Sequence, residues 1–303
     1  MIMYDIIIIG AGPAGLTAAL YALRAGKSVL IIEKGVFGGQ ITYSPKIENY
    51  PGFTELSGNE LADKMMEQVI SHGAEFEMET VTGIEDADGV KRVVTENGVF
   101  ESKAVIVAVG AAHRHLGVEG EEELIGKGIS FCAVCDGAFY KDMTVAVIGG
   151  GNSAMQEAVL LSEGCKKVIM VQNLSVLTGE EKLAAALKEK ENVEIIYNSV
   201  VTGFESSGGV VSGVKIGNTQ DGTEQTLSVD GVFVAIGLVP ATDFLKGTGM
   251  LDGYGYIIAD ESCVTSVDGV YAAGDCRTKK IRQITTAAAD GATAALAACE
   301  KIK

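Results

Sequence analysis

Two cysteines at C-x-x-C spacing, Cys132 and Cys135, are the residues of this sequence best suited to chemistry. Thiols at this spacing can close into a disulfide and open again, and the arrangement lowers a thiol pKa and so favours exchange with another disulfide. The carboxylate of Asp136 follows directly, where it could move a proton. The alternative role for Asp136 is an N-cap for the following turn. The pattern predicts a thiol–disulfide exchange centre at residues 132–136.

A glycine-rich loop near the start of the chain predicts a dinucleotide site. The β-branched run 4–9 predicts a buried parallel strand, and the G-x-G-x-x-G loop 10–15, a helix to Arg24 and a second strand ending in Glu33 follow it. The glycines allow a tight turn, a close approach of backbone to pyrophosphate, and close packing of helix on strand. The helix N-terminus favours phosphate, and Glu33 is expected to accept hydrogen bonds from ribose hydroxyls.

A second unit of the same pattern begins after the cysteine pair. Strand 144–148 leads into the G-x-G-x-x-A loop 149–154, a helix to Glu163, and strand 167–171. The apolar runs 104–109 and 232–236 are expected to close the first and second units. We predict an α/β fold with two Rossmann-like dinucleotide-binding domains, the second inserted into the first. Linkers are expected near residues 111–117 and 237–242.

Composition and charge exclude several functions. The net charge of −16 argues against binding nucleic acid, whose phosphates would be repelled. The early apolar run 6–9 is far too short to span a bilayer, and no basic region precedes it as in a signal peptide. We therefore expect a cytoplasmic protein that binds neither nucleic acid nor membrane.

The remaining cysteines are expected to be buried or unreactive. They are scattered along the chain, at Cys165, Cys263, Cys276 and Cys299. A secreted disulfide scaffold would be shorter and richer in cysteine. There is no second C-x-x-C motif, and the three histidines lack ligand spacing to cysteine, so no metal site is expected.

These motifs, taken in order, resemble those of the low-molecular-weight, bacterial-type thioredoxin reductases, and the resemblance covers nearly the whole chain. The motifs are residues 10–15 with Glu33, 38–40, 48–52, 132–136, 149–154, 274–275 and 282–287. The resemblance implies FAD in the first domain, a thioredoxin-like protein as the oxidant, and a homodimer. It implies domains at 1–113 (FAD-binding, first part), 114–240 (NAD(P)H-type, with the cysteine pair) and 241–303 (FAD-binding, second part).

The resemblance also implies which residues contact FAD and which react. Asp275 is expected near the ribityl chain, and Gln40, Asn49 and Gln283 near flavin and adenine groups. The cofactor-binding residues carried over are Gly10, Gly12, Pro13, Ala14, Gly15, Glu33, Gly39, Gln40, Asn49, Gly274, Asp275, Arg282, Gln283 and Ile284.

The resemblance further implies the order of the reaction. Cys135 is expected to face the flavin, Cys132 to attack the substrate disulfide, and Asp136 to act as acid or base. Electrons would pass from FAD to the Cys132–Cys135 disulfide and then to the substrate. Because the pair must meet both the flavin and a bulky protein, we expect a rigid-body rotation about the two linkers.

One segment departs from the family pattern. Where these enzymes carry His-Arg-Arg-x-x-x-Arg to hold the 2′-phosphate of NADPH, this chain has Gln-Asn-Leu-Ser-Val-Leu-Thr at residues 172–178. A desolvated phosphate without the arginines would lose hydrogen bonds worth roughly 1.5–3 kcal/mol each. NADH would also lack its acidic ribose partner, since Gln172 stands there. Two alternatives stay open: Gln172 and Asn173 hold NADH by neutral contacts, or the second fold has no nucleotide function.

In lacking these arginines, the chain resembles a subgroup of the family, the ferredoxin-dependent flavin thioredoxin reductases of anaerobes. Reduced ferredoxin is therefore the expected donor. Ferredoxins are acidic, so docking needs a local basic patch, and Lys279, Lys280 and Arg282 are the candidates. Three alternatives remain: an NAD(P)H-dependent thioredoxin reductase, a flavin dithiol oxidase that passes electrons to oxygen, and a non-catalytic redox sensor.

Overall fold

A computed structural model of the protein describes residues 2–44 and 46–302. The chain divides into two compact units, Met1–Ala112 with Val239–Lys303, and His113–Leu238. The second unit is thus an insertion within the first. The borders lie one and two residues before the predicted domain borders at 113/114 and 240/241. Among the described residues, no helix is both long and apolar enough to cross a bilayer.

The elements are named here in chain order. The strands are β1 (Met3–Ile9), β2 (Val29–Glu33), β3 (Glu75–Met78), β4 (Val81–Ala87), β5 (Val90–Thr95), β6 (Val99–Val107), β7 (Ala111–His113), β8 (Ile129–Ser130), β9 (Thr144–Ile148), β10 (Lys167–Val171), β11 (Val193–Ile196), β12 (Ser199–Ser207), β13 (Val210–Asn218), β14 (Glu224–Ser228), β15 (Gly231–Val234), β16 (Leu238–Pro240) and β17 (Val270–Ala272). The helices are α1 (Pro13–Arg24), α2 (Gly58–Ser71), α3 (Glu121–Leu124), α4 (Ala133–Asp136), α5 (Asn152–Ser162), α6 (Glu181–Lys188) and α7 (Ile284–Lys301). Short 3₁₀ turns occupy Gly39–Tyr43, Gly137–Tyr140, Asp243–Leu245 and Gly274–Cys276.

The first unit is built on a sheet of order β3-β2-β1-β6-β5-β4, with β17 also on β6. β1, β2, β3, β6 and β17 run parallel, and β4 and β5 form antiparallel pairs. Four successive isoleucines, residues 6–9, are buried because both faces of β1 are covered. Ile6 and Ile8 pack with α1 and α7, and Ile7 and Ile9 pack in the cluster that contains Leu245.

The second unit repeats the parallel layout around β9. Its sheet has the order β11-β10-β9-β15-β8, and β12, β13 and β14 form a separate antiparallel sheet. The inner residues of β9, β10 and β15 are buried in two clusters, one against α5 and α6 and one toward the antiparallel sheet. This is the predicted α/β class with two Rossmann-like units, and the prediction is confirmed.

Most predicted elements lie where they were expected, and one differs in its bounds. Strands 144–148 and 167–171 match β9 and β10. The apolar run 104–109, expected to close the first unit, lies mostly in β6, but this strand begins earlier, at Val99, and ends at Val107. Residues in the first half of β6 are mostly exposed or half-buried and those in its second half are buried, so the sequence pattern changes within a single strand.

Candidate functional site

The cysteine pair lies at the start of α4 in the second unit. Cys132 and Cys135 form a disulfide with a Cα–Cα distance of 5.3 Å. Cys132 is the N-cap of this helical turn, and its sulfur accepts a hydrogen bond from the Cys135 N–H at 3.2 Å. Ala133 is buried in the core against α5, which anchors the turn. The pair is therefore held on one helical turn, with both sulfurs bonded together.

Asp136 is held beside the disulfide by Ser130. The Ser130 hydroxyl donates to Asp136 Oδ2 at 2.6 Å and accepts from the Cys132 N–H at 3.1 Å. Asp136 Oδ1 is buried and has no hydrogen-bond partner among the described residues. Burial raises the pKa of Asp136, although the Ser130 hydrogen bond acts in the opposite sense. The side chain makes no N-cap bond to the turn that follows, so the capping alternative is wrong.

The other four cysteines are poor nucleophiles, as the sequence predicts. Cys165, Cys263 and Cys276 are buried and Cys299 is half-buried. Burial raises the pKa of Cys263 to about 11 and that of Cys276 to about 12. It also raises the pKa of Cys165 and Cys299. Because the thiolate is the reactive form, a raised pKa makes each of these thiols less reactive at neutral pH.

The three loop glycines of the first unit are required for different reasons. Gly10 has φ +106°, and a Cβ there would collide with the Ala108 carbonyl. A Cβ at Gly15 would collide with the Gly10 carbonyl. The nearest atom to a Cβ at Gly12 is the Gly38 carbonyl oxygen at 3.9 Å, and its φ of −77° suits any residue. The fold needs Gly10 and Gly15, whereas Gly12 leaves bare backbone at the N-terminus of α1.

Glu33 ties the end of β2 to this loop. Its Oε2 accepts from the Ala11 N–H and its Oε1 from the Gly35 N–H, both at 2.8 Å. A cleft of about 90 Å³ opens beside the carboxylate. Its lining is Ile9, Gly10, Ile32, Glu33, Lys34, Glu79, Thr80, Val81, Val109, Ala241 and Phe244. The carboxylate oxygens each keep a lone pair that can accept from a ribose hydroxyl in this cleft.

The carboxyl-terminal segment brings Gly274 and Asp275 to the same loop. A Cβ at Gly274 would lie only 2.8 Å from the Ala14 Cβ, so glycine is needed where the two segments cross. Asp275 Oδ1 is buried and has no hydrogen-bond partner in the described chain. Burial raises the pKa of Asp275. Arg282 donates to the Asp275 carbonyl oxygen at 3.4 Å and lies over the Tyr256 ring at 4.4 Å.

The remaining predicted contacts converge only in part. Asn49 donates to the Gln283 side-chain oxygen at 3.3 Å, across 234 residues of sequence. Gln283 forms a capping box with Thr286, and Ile284 opens α7. Gln40 lies exposed in the 3₁₀ turn that begins at Gly39, and no hydrogen bond of its side chain is described. Pro13 and Ala14 open α1.

These residues fit FAD. The open Cβ position at Gly12 suits a pyrophosphate, the cleft at Glu33 suits a ribose, and the orphan oxygen of Asp275 suits a hydroxyl donor. An unpartnered buried carboxylate oxygen is costly, and a ribityl hydroxyl would satisfy it. Of the residues carried over from the family, Glu33, Gly39 and Gly274 thus lie beside the N-terminus of α1.

The second glycine loop is covered by its own chain, a segment of residues 172–180 that we call the cover segment. Gln172 occupies the position of Glu33, since Val171 pairs with Ile148 as Ile32 pairs with Ile9. Its side chain is 3% exposed, and a Cβ at Gly150 would collide with it. The Gln172 amide is occupied, because it donates to the Val176 carbonyl at 2.9 Å and accepts from the Asn173 N–H at 3.1 Å.

Backbone bonds hold the cover segment in place. Thr178 N–H donates to the Gly150 carbonyl at 2.8 Å, and Glu180 N–H donates to Asn152 Oδ1 at 2.7 Å. Glu180 carries the segment's only charge, which is negative. Gln172 is therefore buried and already bonded within the cover segment, so its amide has one N–H and one lone pair left for a ribose.

The proposed basic docking patch is corrected by the structure. The side chain of Lys279 is 9% exposed and binds Asp290 at 2.8 Å. Arg282 is half-buried over Tyr256, which leaves Lys280 as the exposed cation of the three. Lys279 was named as a docking candidate for its charge alone, and Asp290, eleven residues further along the chain, could not be identified as its partner from the sequence.

Sequence reasoning missed three residues near these sites. Ser130 positions Asp136, Glu157 on α5 faces α4, and Asp290 on α7 binds Arg277, Lys279 and the Gly274 N–H. An acidic residue within the alanine-rich run of α7 was a usable signal for Asp290. Ser130 and Glu157 gave no signal, because their neighbours depend on how α4 packs.

Comparisons with known proteins agree with this geometry. Residues 4–291 match the family described as pyridine nucleotide-disulphide oxidoreductase. The thioredoxin reductase of Listeria monocytogenes is 44% identical over 96% of this chain and 92% of its own, and that of Bacillus subtilis is 41% identical over 97% and 93%. The structure of thioredoxin reductase from Streptococcus pyogenes has a TM-score of 0.95 at 43% identity, covering 99% of this chain and 98% of its own.

The enzymes of this family are flavoprotein disulfide oxidoreductases that carry FAD, and the residues around α1 of this chain fit that cofactor. The disulfide of the second unit is the group such an enzyme needs to pass electrons to a protein. By its family match, its relatives and its fold, the chain belongs to the thioredoxin reductases of the pyridine nucleotide-disulphide oxidoreductase family.

Proposed function

We propose that this protein reduces the disulfide of a thioredoxin-like protein and takes its electrons from reduced ferredoxin rather than from NADPH. The cover segment is the observation that carries the choice of donor. It places a buried Gln172, whose amide bonds to Val176 and Asn173, where an acid would bind NADH, and it has no arginine or lysine for the 2′-phosphate of NADPH. A one-electron carrier would not need the second loop.

FAD would be held by the backbone around Gly12, by Glu33 and by Asp275. When bound, it supplies a carrier that accepts single electrons and delivers a pair to a disulfide. Gly10 and Gly15 keep the loop in the shape that leaves Gly12 open. Asn49 and Gln283, which bond to each other, would border the flavin from the carboxyl-terminal side.

The protein's own residues would handle the sulfur and proton steps. Breaking the Cys132–Cys135 bond places two added electrons on the sulfurs, and Cys132 then attacks one sulfur of the substrate disulfide. Asp136 holds a proton more readily than an exposed aspartate because burial raises its pKa. Ser130 orients its carboxyl group through Oδ2 and leaves Oδ1 free to exchange that proton.

The competing donor is a nicotinamide nucleotide, and a specific observation favours it. The matched family is described by pyridine nucleotides, and the second unit keeps the G-x-G-x-x-A loop and its strands. In this alternative, the cover segment would have to move or bind the nucleotide through backbone groups alone.

An anaerobic titration distinguishes the donors. The FAD-loaded protein is mixed under argon with NADPH, NADH or reduced ferredoxin, and the flavin absorbance is followed. We expect slow or absent bleaching with either nucleotide at millimolar concentration, and bleaching with ferredoxin that supports thioredoxin reduction. Rapid stoichiometric bleaching by NADPH would return the chain to the NADPH-dependent enzymes.

A homodimer is part of this proposal, by analogy with the family that the motifs resemble. Light scattering of the FAD-loaded protein tests it. We expect about twice the 31.5 kDa mass of one chain, and a mass of one chain would remove this part of the proposal.

A further inference from the structure

A half-buried glutamate on α5, the helix that packs against α4, takes no part in the steps described above. Glu157 projects from α5 toward α4, where its carboxyl group accepts a hydrogen bond from the backbone N–H of Ala133. That N–H belongs to the peptide bond that joins Cys132 to Ala133. Glu157 Oε2 is buried and has no hydrogen-bond partner among the described residues. The carboxyl group is therefore held at one peptide, and its Oε2 is enclosed in the protein.

Among the described residues, none forms an ion pair with Glu157. The titratable side chains of α4 and the turn after it are Asp136 and Tyr140, and both have their own pKa raised first by burial. Strands β9 and β10 and helix α6 face α5 with apolar side chains, among them Val145, Val147, Met170, Leu183 and Leu187. The charged residues of α6, Glu181, Lys182 and Lys188, form no ion pair with Glu157.

If the contact with Ala133 were purely structural, an ionised carboxylate would be unfavourable here because its charge has to be desolvated. A glutamine would accept the same Ala133 hydrogen bond without a charge to desolvate. Burial raises the pKa of Glu157 to about 8, against the weaker opposing effect of the Ala133 hydrogen bond. The group therefore carries a proton near neutral pH and can release it just above, which a glutamine cannot do.

We propose that Glu157 is a second proton-holding residue of the redox centre, coupled to the Cys132–Cys135 pair through the Ala133 peptide. Reduction breaks the S–S bond and adds two electrons, which in the proposed function, on which this inference rests, come from the reduced flavin. One sulfur is left as a thiolate, and its negative charge favours the protonated form of a neighbouring carboxyl. Where Glu157 is ionised in the disulfide form, reduction therefore draws one further proton from solvent onto it.

The sign of the pH dependence follows from this coupling. The Glu157 pKa is higher in the reduced form than in the disulfide form, so the additional proton is taken up only between these two pKa values. In that window, which begins near pH 8, the pair becomes harder to reduce with rising pH more steeply than the cysteines alone require. Below it, Glu157 is protonated in both forms and has no effect.

The test is the redox equilibrium of the pair in the FAD-loaded full chain, measured against a dithiothreitol buffer from pH 6 to 9.5. Thiols are trapped by alkylation and counted by mass. We expect Glu157→Gln and the wild type to have the same equilibrium constant for reduction of the pair near pH 6.5. Between pH 7 and 9.5 this constant should fall about three- to tenfold less in Glu157→Gln than in the wild type. The control Glu163→Gln, at the exposed end of the same helix, should follow the wild type throughout.

Parallel curves for wild type and Glu157→Gln would overturn the proposal and leave Glu157 as a structural contact. Because a chemical dithiol replaces thioredoxin and ferredoxin, this result would not affect the proposed function, which fails only in the donor and substrate assays. If Glu157→Gln does not fold, infrared difference spectra of the wild type with ¹³C-labelled glutamate decide. At pH 8.5, reduction should strengthen a label-sensitive carboxylic acid band, and an unchanged band would contradict the coupling.

Discussion

At the scale of single residues, the disulfide separates one reactive pair from four protected thiols. Cys132 and Cys135 share a helical turn, whereas the burial of Cys263 and Cys276 raises their pKa values far above neutrality. The disulfide marks the pair suited to exchange, whereas the raised pKa values disfavour the thiolate form of the buried cysteines.

The first prediction concerns the two cysteines of the pair. Cys132→Ser should leave the flavin reducible and abolish reduction of a thioredoxin disulfide, because the attacking sulfur is gone. Cys135→Ser should also remove any long-wavelength absorbance from a thiolate beside the flavin. Stopped-flow absorbance and a thioredoxin assay measure both. Cys299→Ser is the matched control, and equal losses in that variant would place the reaction elsewhere.

The second prediction concerns Gly12. The protein should purify yellow with about one FAD per chain, and Gly12→Val should fold but lose the flavin, because its side chain has room in the protein and none beside a pyrophosphate. Flavin absorbance and circular dichroism give the two readouts. Gly15→Val, whose side chain meets the Gly10 carbonyl, should fail to fold. A yellow Gly12→Val protein would remove Gly12 from the cofactor site.

Residues with a distinctive spacing could be predicted from sequence, and residues defined by their neighbours could not. The cysteine pair and the first glycine loop carry fixed spacings that only certain backbones accommodate. Glu157 is one glutamate among many until the packing of α4 on α5 buries one of its oxygens. The burial of Lys279 likewise depends on Asp290, which lies in the following helix, α7.

At the scale of elements, the cover segment and the Asp290 cluster each hold a loop in place. The cover segment closes over the second glycine loop with bonds from its own backbone. Asp290 receives Arg277 at 2.9 and 3.0 Å, Lys279 at 2.8 Å and the Gly274 N–H at 3.1 Å. It thereby fixes the segment that presents Asp275.

The third prediction restores a phosphate site in the cover segment. The combined variant Gln172→His, Asn173→Arg, Leu174→Arg and Thr178→Arg should strengthen NADPH binding by about a hundred- to ten-thousandfold, since even two charge-assisted hydrogen bonds contribute about 3–6 kcal/mol. Titration calorimetry measures the affinity. Three arginines placed instead in the exposed turn 219–222 are the control, and equal gains there would show only a change in net charge.

The fourth prediction concerns Asp290. Asp290→Asn leaves Arg277 and Lys279 buried without their carboxylate and should destabilise the protein by about 3–5 kcal/mol at pH 7, measured by urea unfolding. Burial alone would raise the pKa of Asp290, but the bonds from Arg277 and Lys279 outweigh it and lower the pKa. Its stabilisation is therefore complete above about pH 4, the unfolded value, and is lost as pH falls through the lower folded value.

Two outcomes would contradict the Asp290 assignment. One is a difference between wild type and Asp290→Asn that grows rather than shrinks below pH 4. The other is an equal loss in Asp268→Asn, the matched control, whose ion pair with Lys301 is exposed and should have little effect.

At the scale of the whole molecule, the fold class and the insertion could be predicted because repetition is visible in sequence. The pattern strand, glycine loop, helix, strand occurs twice and predicts two parallel sheets. Parallel strands that are buried on both faces have continuous apolar sequences, which makes them easy to identify. The parallel edge strand β3 and the antiparallel strands β4 and β5 have no such run, because many of their residues are exposed or half-buried. The apolar run 104–109 likewise marks only the second half of β6, since the first half of that strand is partly exposed.

The two ends of the inserted unit lie side by side. The chain leaves the first unit through β7 and re-enters it through β16, and these two strands pair with each other in a two-stranded sheet. The break in the first unit is therefore a short gap between neighbouring backbones, which a tight turn could close. A shortened gene that joins Ala112 to Val239 through Asn-Gly should encode a self-sufficient yellow protein without thiol chemistry. The second unit would then be an inserted domain that could be gained or exchanged in evolution while the first unit keeps its fold.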